Sequence, residues 1–124
     1  MVGTVAAKLR AWLQEVEPDA SAQIEIVSQS APDPDGGTSS HSELSLDLPR
    51  ASQHTRLVVR FTCAVHGPTG ERDSWRADIQ GALPEEREAL WEVFHPRADA
   101  SRRFANHVEP TFVFNGERTT YPLR

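Results

Sequence analysis

Ionisable side chains between residues 95 and 103 form the best candidate in this sequence for chemistry. His95 precedes a proline, and Asp99 follows four residues later, where it can cap a helix and orient the imidazole. The same segment contains Arg97, Arg102 and Arg103, and guanidinium groups bind anions. Because successive helical residues lie about 100° apart, only one of Arg102 and Arg103 can face a given site. The segment predicts an acid–base site in which His95 exchanges protons and Asp99 orients it.

Other catalytic, metal and cofactor patterns are incomplete. Cys63 and His66 have a ligand-like spacing, but zinc needs four ligands and no second pair of this kind occurs. Cys63 and His66 could act as a thiol and its base only if the strand ended before His66, because residues three apart on a continuous strand point to opposite faces. The segment Asp33-Pro34-Asp35-Gly36 lacks the further carboxylates of a calcium loop. With no phosphate-binding glycine motif and no nucleophile elbow, we predict no metal and no cofactor.

Composition limits the class of protein. The 124 residues are enough for one domain, and we expect a single domain over 1–124. A net charge of -5 disfavours nucleic acid, whose binding depends on neutralising phosphates. One cysteine permits no internal disulfide, and no apolar run is long enough for a signal peptide or a membrane span. We therefore expect a cytoplasmic protein without nucleic-acid or membrane partners; the oligomeric state is left open.

The first half of the chain reads as a helix followed by strands. Apolar residues at helical spacing predict a helix up to Pro18. Strand patterns follow at 23–28, 43–48 and 55–65, and a weaker one at 74–80 that could equally be an irregular edge. The stretch 30–42 is rich in Ser, Pro, Asp and Gly and offers almost nothing to bury, which predicts a flexible loop.

The second half predicts two helices and a hairpin. Pro84 suits the first position of one helix, and Asp99 can cap another that ends near His107. Asn115-Gly116 is a strong signal for a two-residue hairpin turn. The predicted fold is therefore α+β: a mostly antiparallel sheet of about five to six strands, with the N-terminal helix and the two later helices packed on one face and a C-terminal β-hairpin.

The large aromatic residues fit either a core or a ligand pocket. Six of them fall on the predicted inward faces of their elements: Trp12, Trp75, Trp91, Phe112, Phe114 and Tyr121. Core packing is the favoured interpretation. The alternative is a closed apolar cavity between the sheet and the helices.

These observations favour a non-enzymatic binding or accessory protein that engages a protein partner. The chain is acidic, lacks catalytic motifs, and offers a hairpin edge and an acidic loop. The candidate contact residues are five carboxylates: Asp33, Asp35, Asp47, Asp73 and Asp78. One alternative is a small cofactor-free acid–base enzyme, such as a cyclase, isomerase or hydrolase, in which His95 acts on a hydrophobic or anionic metabolite. Another is a small-ligand carrier with an aromatic-lined pocket.

Overall fold

The computed structural model describes residues 2–21, 23–32, 38–50, 55–66, 74–94 and 109–119. These residues form a mixed α+β fold with a six-stranded sheet and two α-helices. In chain order the elements are α1 (Val2–Val16), β1 (Glu25–Pro32), β2 (Thr38–Arg50), β3 (Thr55–His66), β4 (Ser74–Gln80), a 3-10 turn (Pro84–Glu86), α2 (Arg87–Phe94), β5 (Glu109–Phe114) and β6 (Glu117–Thr119).

The strands lie in the sheet in the order in which they occur in the chain, from β1 to β6. Neighbouring strands are antiparallel except β4 and β5, which are parallel. The parallel pair follows from the connection, because α2 lies between these two strands and returns the chain to the same end of the sheet. The mostly antiparallel arrangement expected from the sequence is thus present.

The sheet has one covered face and one open face. We call the covered side the inner face; on it Leu46, Val59 and Ala77 pack with residues of both described helices in one apolar cluster. Along β2 and β3 the inward residues alternate with exposed polar ones such as Asp47 and Arg60, which lie on what we call the outer face. Because both described helices contribute to the inner cluster, they lie on the same side of the sheet, as expected.

The strands near the N-terminus are longer than the sequence suggested. The loop expected over 30–42 is partly strand, because β1 continues to Pro32 and β2 begins at Thr38. These serine-rich ends pair through their backbones, and the hydroxyls of Ser28 and Ser42 lie 3.1 Å apart across the two strands. Backbone pairing needs no apolar side chains, which is why hydrophobic patterning did not reveal the extension.

Two further expectations concern the second half of the chain. The weak strand pattern at 74–80 is confirmed as β4, with Trp75 buried on the inner face. The helix expected from Asp99 to about His107 lies outside the described residues, so the described part contains one α-helix after β4 where two were expected.

The C-terminal hairpin is confirmed in its turn and its register. Asn115 and Gly116 have φ angles of 52° and 85°, the positive values that a type I′ turn requires. Phe114 pairs with Glu117. The Asn115 side chain also donates to the Ala82 carbonyl at 2.8 Å and accepts from the Ala82 N–H at 3.2 Å. The turn is therefore anchored to the chain that leaves β4.

Candidate interaction surface

The outer face of the sheet presents polar residues arranged in ion pairs. Arg56 Nε lies 2.8 Å from Asp47 Oδ1, and Arg60 Nε lies 2.8 Å from Glu43 Oε1. Both pairs cross from β3 to β2. Since they are largely exposed to water, each contributes about 1 kcal/mol or less to stability. Their main effect is to neutralise much of the charge on this face.

A cleft of about 450 Å³ crosses the outer face from β3 to β1. Its polar lining consists of Gln23, Glu25, Glu43, Ser45, Asp47 and Arg60. Glu43 and Asp47 have arginine partners, whereas Glu25 forms no ion pair with another residue in the described part of the chain. Glu25 is exposed and is the first residue of β1. The cleft therefore has a surplus carboxylate at its β1 end.

Strand β1 is exposed along its full length of eight residues. It lies at one edge of the described sheet, so one side of its backbone pairs with β2 and the other side faces away from the sheet. Two of its apolar side chains are conspicuously open to water: Ile26 is 43% exposed and Val27 is 58% exposed. Ile26 pairs with buried Leu44 and so belongs to the inner face, which places Val27 on the outer face.

The two edges of the described sheet differ in how they are protected. Natural edge strands avoid unwanted pairing by being short, charged or bulged. The β6 edge follows this rule, since it has three residues and two of them, Glu117 and Arg118, are charged. The β1 edge does not, because eight consecutive pairs join it to β2 and Glu25 is its only charged residue. Among the described strands, none pairs with the side of β1 that faces away from β2.

A buried ionic cluster ties three elements together on the inner side of the fold. The guanidinium of Arg50, at the end of β2, donates from Nε to Glu17 Oε1 at 2.9 Å. It also donates from Nη1 and Nη2 to the two carboxylate oxygens of Glu86, at 2.6 and 2.9 Å. All three residues are buried. We call these three residues the Arg50 cluster.

The Arg50 cluster is suited to holding the fold together. Hydrogen bonding to Glu86 raises the pKa of Arg50 above its ordinary value; burial opposes this effect, and Glu17 adds to it. The guanidinium is therefore permanently charged. Glu86 Oε1 also accepts the backbone N–H of Leu83 at 2.8 Å, which fixes the start of the 3-10 turn. Because arginine does not exchange protons near neutral pH and all three of its nitrogens here donate to buried carboxylates, we assign the cluster a structural role.

The residues predicted to carry acid–base chemistry lie outside the described part of the chain. His95 and Asp99 fall between α2 and β5, as do the arginines expected to bind an anion, Arg97, Arg102 and Arg103. Among the other expected contact residues, Asp33, Asp35 and Asp73 also fall outside the described ranges.

Two of the expected acidic contact residues are on the outer face. Asp47 is exposed there and is paired with Arg56. Asp78 is half-buried on β4, and its Oδ2 lies 3.3 Å from Arg76 Nη2. Both residues point outward, but their charges are partly balanced by arginine. Among the described carboxylates that line the cleft, Glu25 combines exposure with the lack of an arginine partner, and the sequence did not single it out.

The described aromatic side chains pack mainly against one another. Phe61 stacks on Phe94 with ring centroids 5.5 Å apart, and Trp91 meets Phe112 edge-on at 5.4 Å. Trp75 lies 6.1 Å from Trp91. These contacts fill the space between the helices and the sheet, which supports core packing for the aromatic residues described; Tyr121 lies outside the described residues.

The other candidate sites, a thiol–base pair and a metal site, do not form among the described residues. Cys63 is buried in the apolar cluster, and β3 continues through His66, so the early strand end that a thiol–base pair would need does not occur. Within the described ranges, no group of three or more His, Cys, Asp or Glu residues is placed to hold a metal ion. In the same ranges, no helix combines the length and the apolar character needed to cross a bilayer.

Comparison with known proteins finds no matching family model, no similar curated protein and no similar solved structure. The function proposed below therefore rests on the chemistry and geometry of the described surface.

Proposed function

We propose that this chain is a non-enzymatic binding protein that takes up an extended segment of a partner protein along the free edge of β1. The observation that carries the proposal is the exposure of all eight residues of this edge strand. An exposed sheet edge binds a partner by strand addition, in which main-chain hydrogen bonds supply affinity and alternate side chains supply specificity.

The local chemistry of β1 supports this mode of binding. The backbone groups on its side away from β2 pair with no other described strand, and such groups can exchange water for the backbone of a partner strand. Ile26 and Val27 offer exposed apolar surface on both faces of the strand. Burying such surface contributes about 25 cal/mol per Å². The described part of the other edge, β6, carries two charged residues out of three, which disfavours strand addition there.

The proposal is tested with an edge variant and a matched surface control. Val27→Lys adds a charge to the edge strand at a position that is already more than half exposed, so the fold should tolerate it. Ala89→Lys adds the same charge at an exposed position of α2, on the opposite side of the sheet. The wild-type protein and both variants are used to capture proteins from a lysate of the source organism, and a captured partner is then purified and titrated against each.

A partner that binds the wild type and Ala89→Lys, but binds Val27→Lys at least about tenfold more weakly, supports strand addition at β1. Circular dichroism must show that all three proteins are folded. A purified partner that binds the two variants equally well would overturn the proposal, because the edge strand would then play no part in recognition.

A further inference from the structure

We propose, on the basis of the function proposed above, that the segment bound along β1 is basic. It carries a lysine or arginine whose charge lies beside Glu25 at the β1 end of the outer cleft, with two apolar residues next to it in sequence, after it in a parallel strand and before it in an antiparallel one. This assigns the chemistry of the partner as well as the place where it binds.

Strand geometry sets the spacing of this motif. A strand added to β1 would alternate its side chains between the two faces of the sheet, with residues on the same face about 7 Å apart. Glu25 and Val27 belong to the outer face, and Ile26, between them, belongs to the inner face. The residue beside Glu25 is thus adjacent in sequence to the one beside Ile26, and the next residue in the same direction lies beside Val27. This direction is C-terminal in a parallel strand and N-terminal in an antiparallel one.

Charge selects the residue beside Glu25. In the cleft, Glu43 and Asp47 are bound by Arg60 and Arg56, whereas Glu25 has no ion-pair partner among the described residues. A cation in the added strand would supply the missing charge, and the net charge of -5 would favour the approach of a basic segment. An acidic residue at the same place would lie beside the carboxylate of Glu25 and be repelled by it.

Exposed apolar surface on β1 favours apolar residues in the added strand beside Ile26 and Val27. Ile26 and Val27 are large apolar side chains that remain open to water in the free chain, one on each face of β1. Apolar residues beside them would remove this surface from water, whereas polar residues would leave it partly hydrated.

A second copy of the chain fits the same edge less well. Two copies would each bring a net charge of -5. In an antiparallel pairing of two β1 strands, centred between Ser28 and Gln29, each Glu25 would lie opposite Pro32 of the other copy, which supplies no cation. The surplus carboxylate would therefore remain unbalanced.

The experiment uses a labelled synthetic peptide, Thr-Val-Val-Lys-Val-Val-Thr, whose lysine has two valines on either side so that it fits β1 in either direction. Matched peptides carry glutamate or serine in place of the lysine. Binding is measured by fluorescence anisotropy to the wild type, Glu25→Lys and Glu15→Lys, at about 0.02 M and about 0.5 M NaCl. Glu15 is exposed on α1, so Glu15→Lys makes the same change of net charge away from the cleft.

We expect the wild type to bind the lysine peptide about tenfold more tightly than the glutamate peptide at low salt, and high salt to reduce this difference. Glu25→Lys should reverse the preference, whereas Glu15→Lys should keep it. The thermal unfolding midpoints of both variants must lie close to that of the wild type.

Each other outcome overturns the inference in a distinguishable way. Equal binding of the three peptides would refute the charge selection but leave strand addition intact. Failure of every peptide, while Val27→Lys still abolishes capture of a partner protein, would refute a short basic segment and retain the proposed function. If the peptides fail and Val27→Lys has no effect, both proposals fall. Sedimentation showing a wild-type dimer that Val27→Lys dissociates would make a second copy the occupant.

Discussion

A single residue, Arg50, joins three elements of the fold. Glu17 follows α1, Arg50 ends β2, and Glu86 lies in the turn before α2, so one guanidinium fixes the relative positions of both helices and the sheet. Buried ion pairs of this kind add little net stability compared with an apolar replacement of the whole group, but breaking one is costly because a buried charge is left uncompensated.

Loss of the Glu86 charge should therefore destabilise the protein more than loss of the Glu17 charge. Glu86 accepts two bonds from Arg50 and one from the Leu83 N–H, whereas Glu17 accepts one bond from Arg50. We expect Glu86→Gln to lower the free energy of unfolding by about 3 kcal/mol and Glu17→Gln by about 1–2 kcal/mol. Urea unfolding followed by tryptophan fluorescence measures both. Equal costs, or a larger cost for Glu17→Gln, would contradict the assigned geometry.

The pKa of Arg50 leads to a prediction at alkaline pH. Hydrogen bonding to Glu86 raises the pKa of this group in the folded protein, so its contribution to stability is complete below the pKa of the unfolded chain, which lies far above neutral pH, and is lost only as pH rises beyond it. In Arg50→Lys the corresponding unfolded value is about 10.4. Pairing with Glu86 would raise the lysine pKa in the folded state, so its contribution is lost as pH rises through that folded value.

The stability gap between the wild type and Arg50→Lys should thus be constant from about pH 7 to 9 and widen above about pH 10.5. The variant should already be less stable at neutral pH, since lysine cannot form the bidentate contact. Urea titrations at a series of pH values give the gap directly, and other ionising groups cancel in the difference. A gap that stays constant to pH 11 would show that the residue at position 50 is not linked to folding through its charge.

At the scale of elements, Gly81 permits the chain to leave β4 close to the start of β3. Its φ is +81°, and a Cβ built there would lie 1.8 Å from the carbonyl oxygen of Arg56. Gly116, in the hairpin turn, has a similar φ of +85° but no atom within 4 Å of such a Cβ. Comparing the same substitution at the two glycines therefore distinguishes the free-energy cost of the backbone conformation from that of a steric clash.

We expect Gly116→Ala to lower the free energy of unfolding by about 1–2 kcal/mol, the cost of a left-handed conformation for a residue with a side chain. Gly81→Ala should cost above about 3 kcal/mol, because the clash is with backbone and is added to the same conformational cost. Urea unfolding of the two variants provides the comparison, and failure of Gly81→Ala to fold agrees with the expectation. Similar costs for the two substitutions would show that the backbone at Arg56 moves easily.

The elements that could be predicted from sequence are those whose side chains alternate clearly. Strand β3 and the hairpin at Asn115 follow from apolar alternation and from the two positive φ angles of the turn, whereas the pattern over β4 was weaker. The extension of β1 and β2 and the parallel pairing of β4 with β5 did not follow, because they depend on backbone partners remote in sequence. A single sequence does not show which strands lie at the edges of the sheet.

The Arg50 cluster is another feature that could be predicted from the sequence only in part. Arg50 continues the inward alternation of Leu44, Leu46 and Leu48, so its position on the inner face was visible in the sequence. Its partners were not, since Glu17 and Glu86 lie 33 and 36 residues away along the chain. The open edge of β1 was not predicted for a related reason, because the exposure of a strand depends on which other elements pack beside it or over it.

At the scale of the whole molecule, stability is unevenly distributed across the sheet. The apolar cluster joins α1 and α2 to strands β2 to β5, and Phe61 on β3 is fully buried within it. Strand β1 contributes no buried residue of its own and is held by its pairing with β2. Regions with few buried apolar contacts open locally at a lower free-energy cost than the core does. A binding edge that must accept another strand belongs to this less stable part.

Hydrogen exchange should reveal this division in the free protein. We expect amides of β3 to exchange only with global unfolding, and amides of β1 to exchange at least about a hundredfold faster through local opening. Mass spectrometry of peptic peptides from β1, β3 and β4 measures the rates, with β4 as a second interior reference. Binding of a segment along β1 should then slow exchange in β1 while leaving β3 unchanged, because the added hydrogen bonds lie at that edge. Protection of β1 equal to that of β3 before any partner is added would mean that the edge is already occupied, and strand addition there would be refuted.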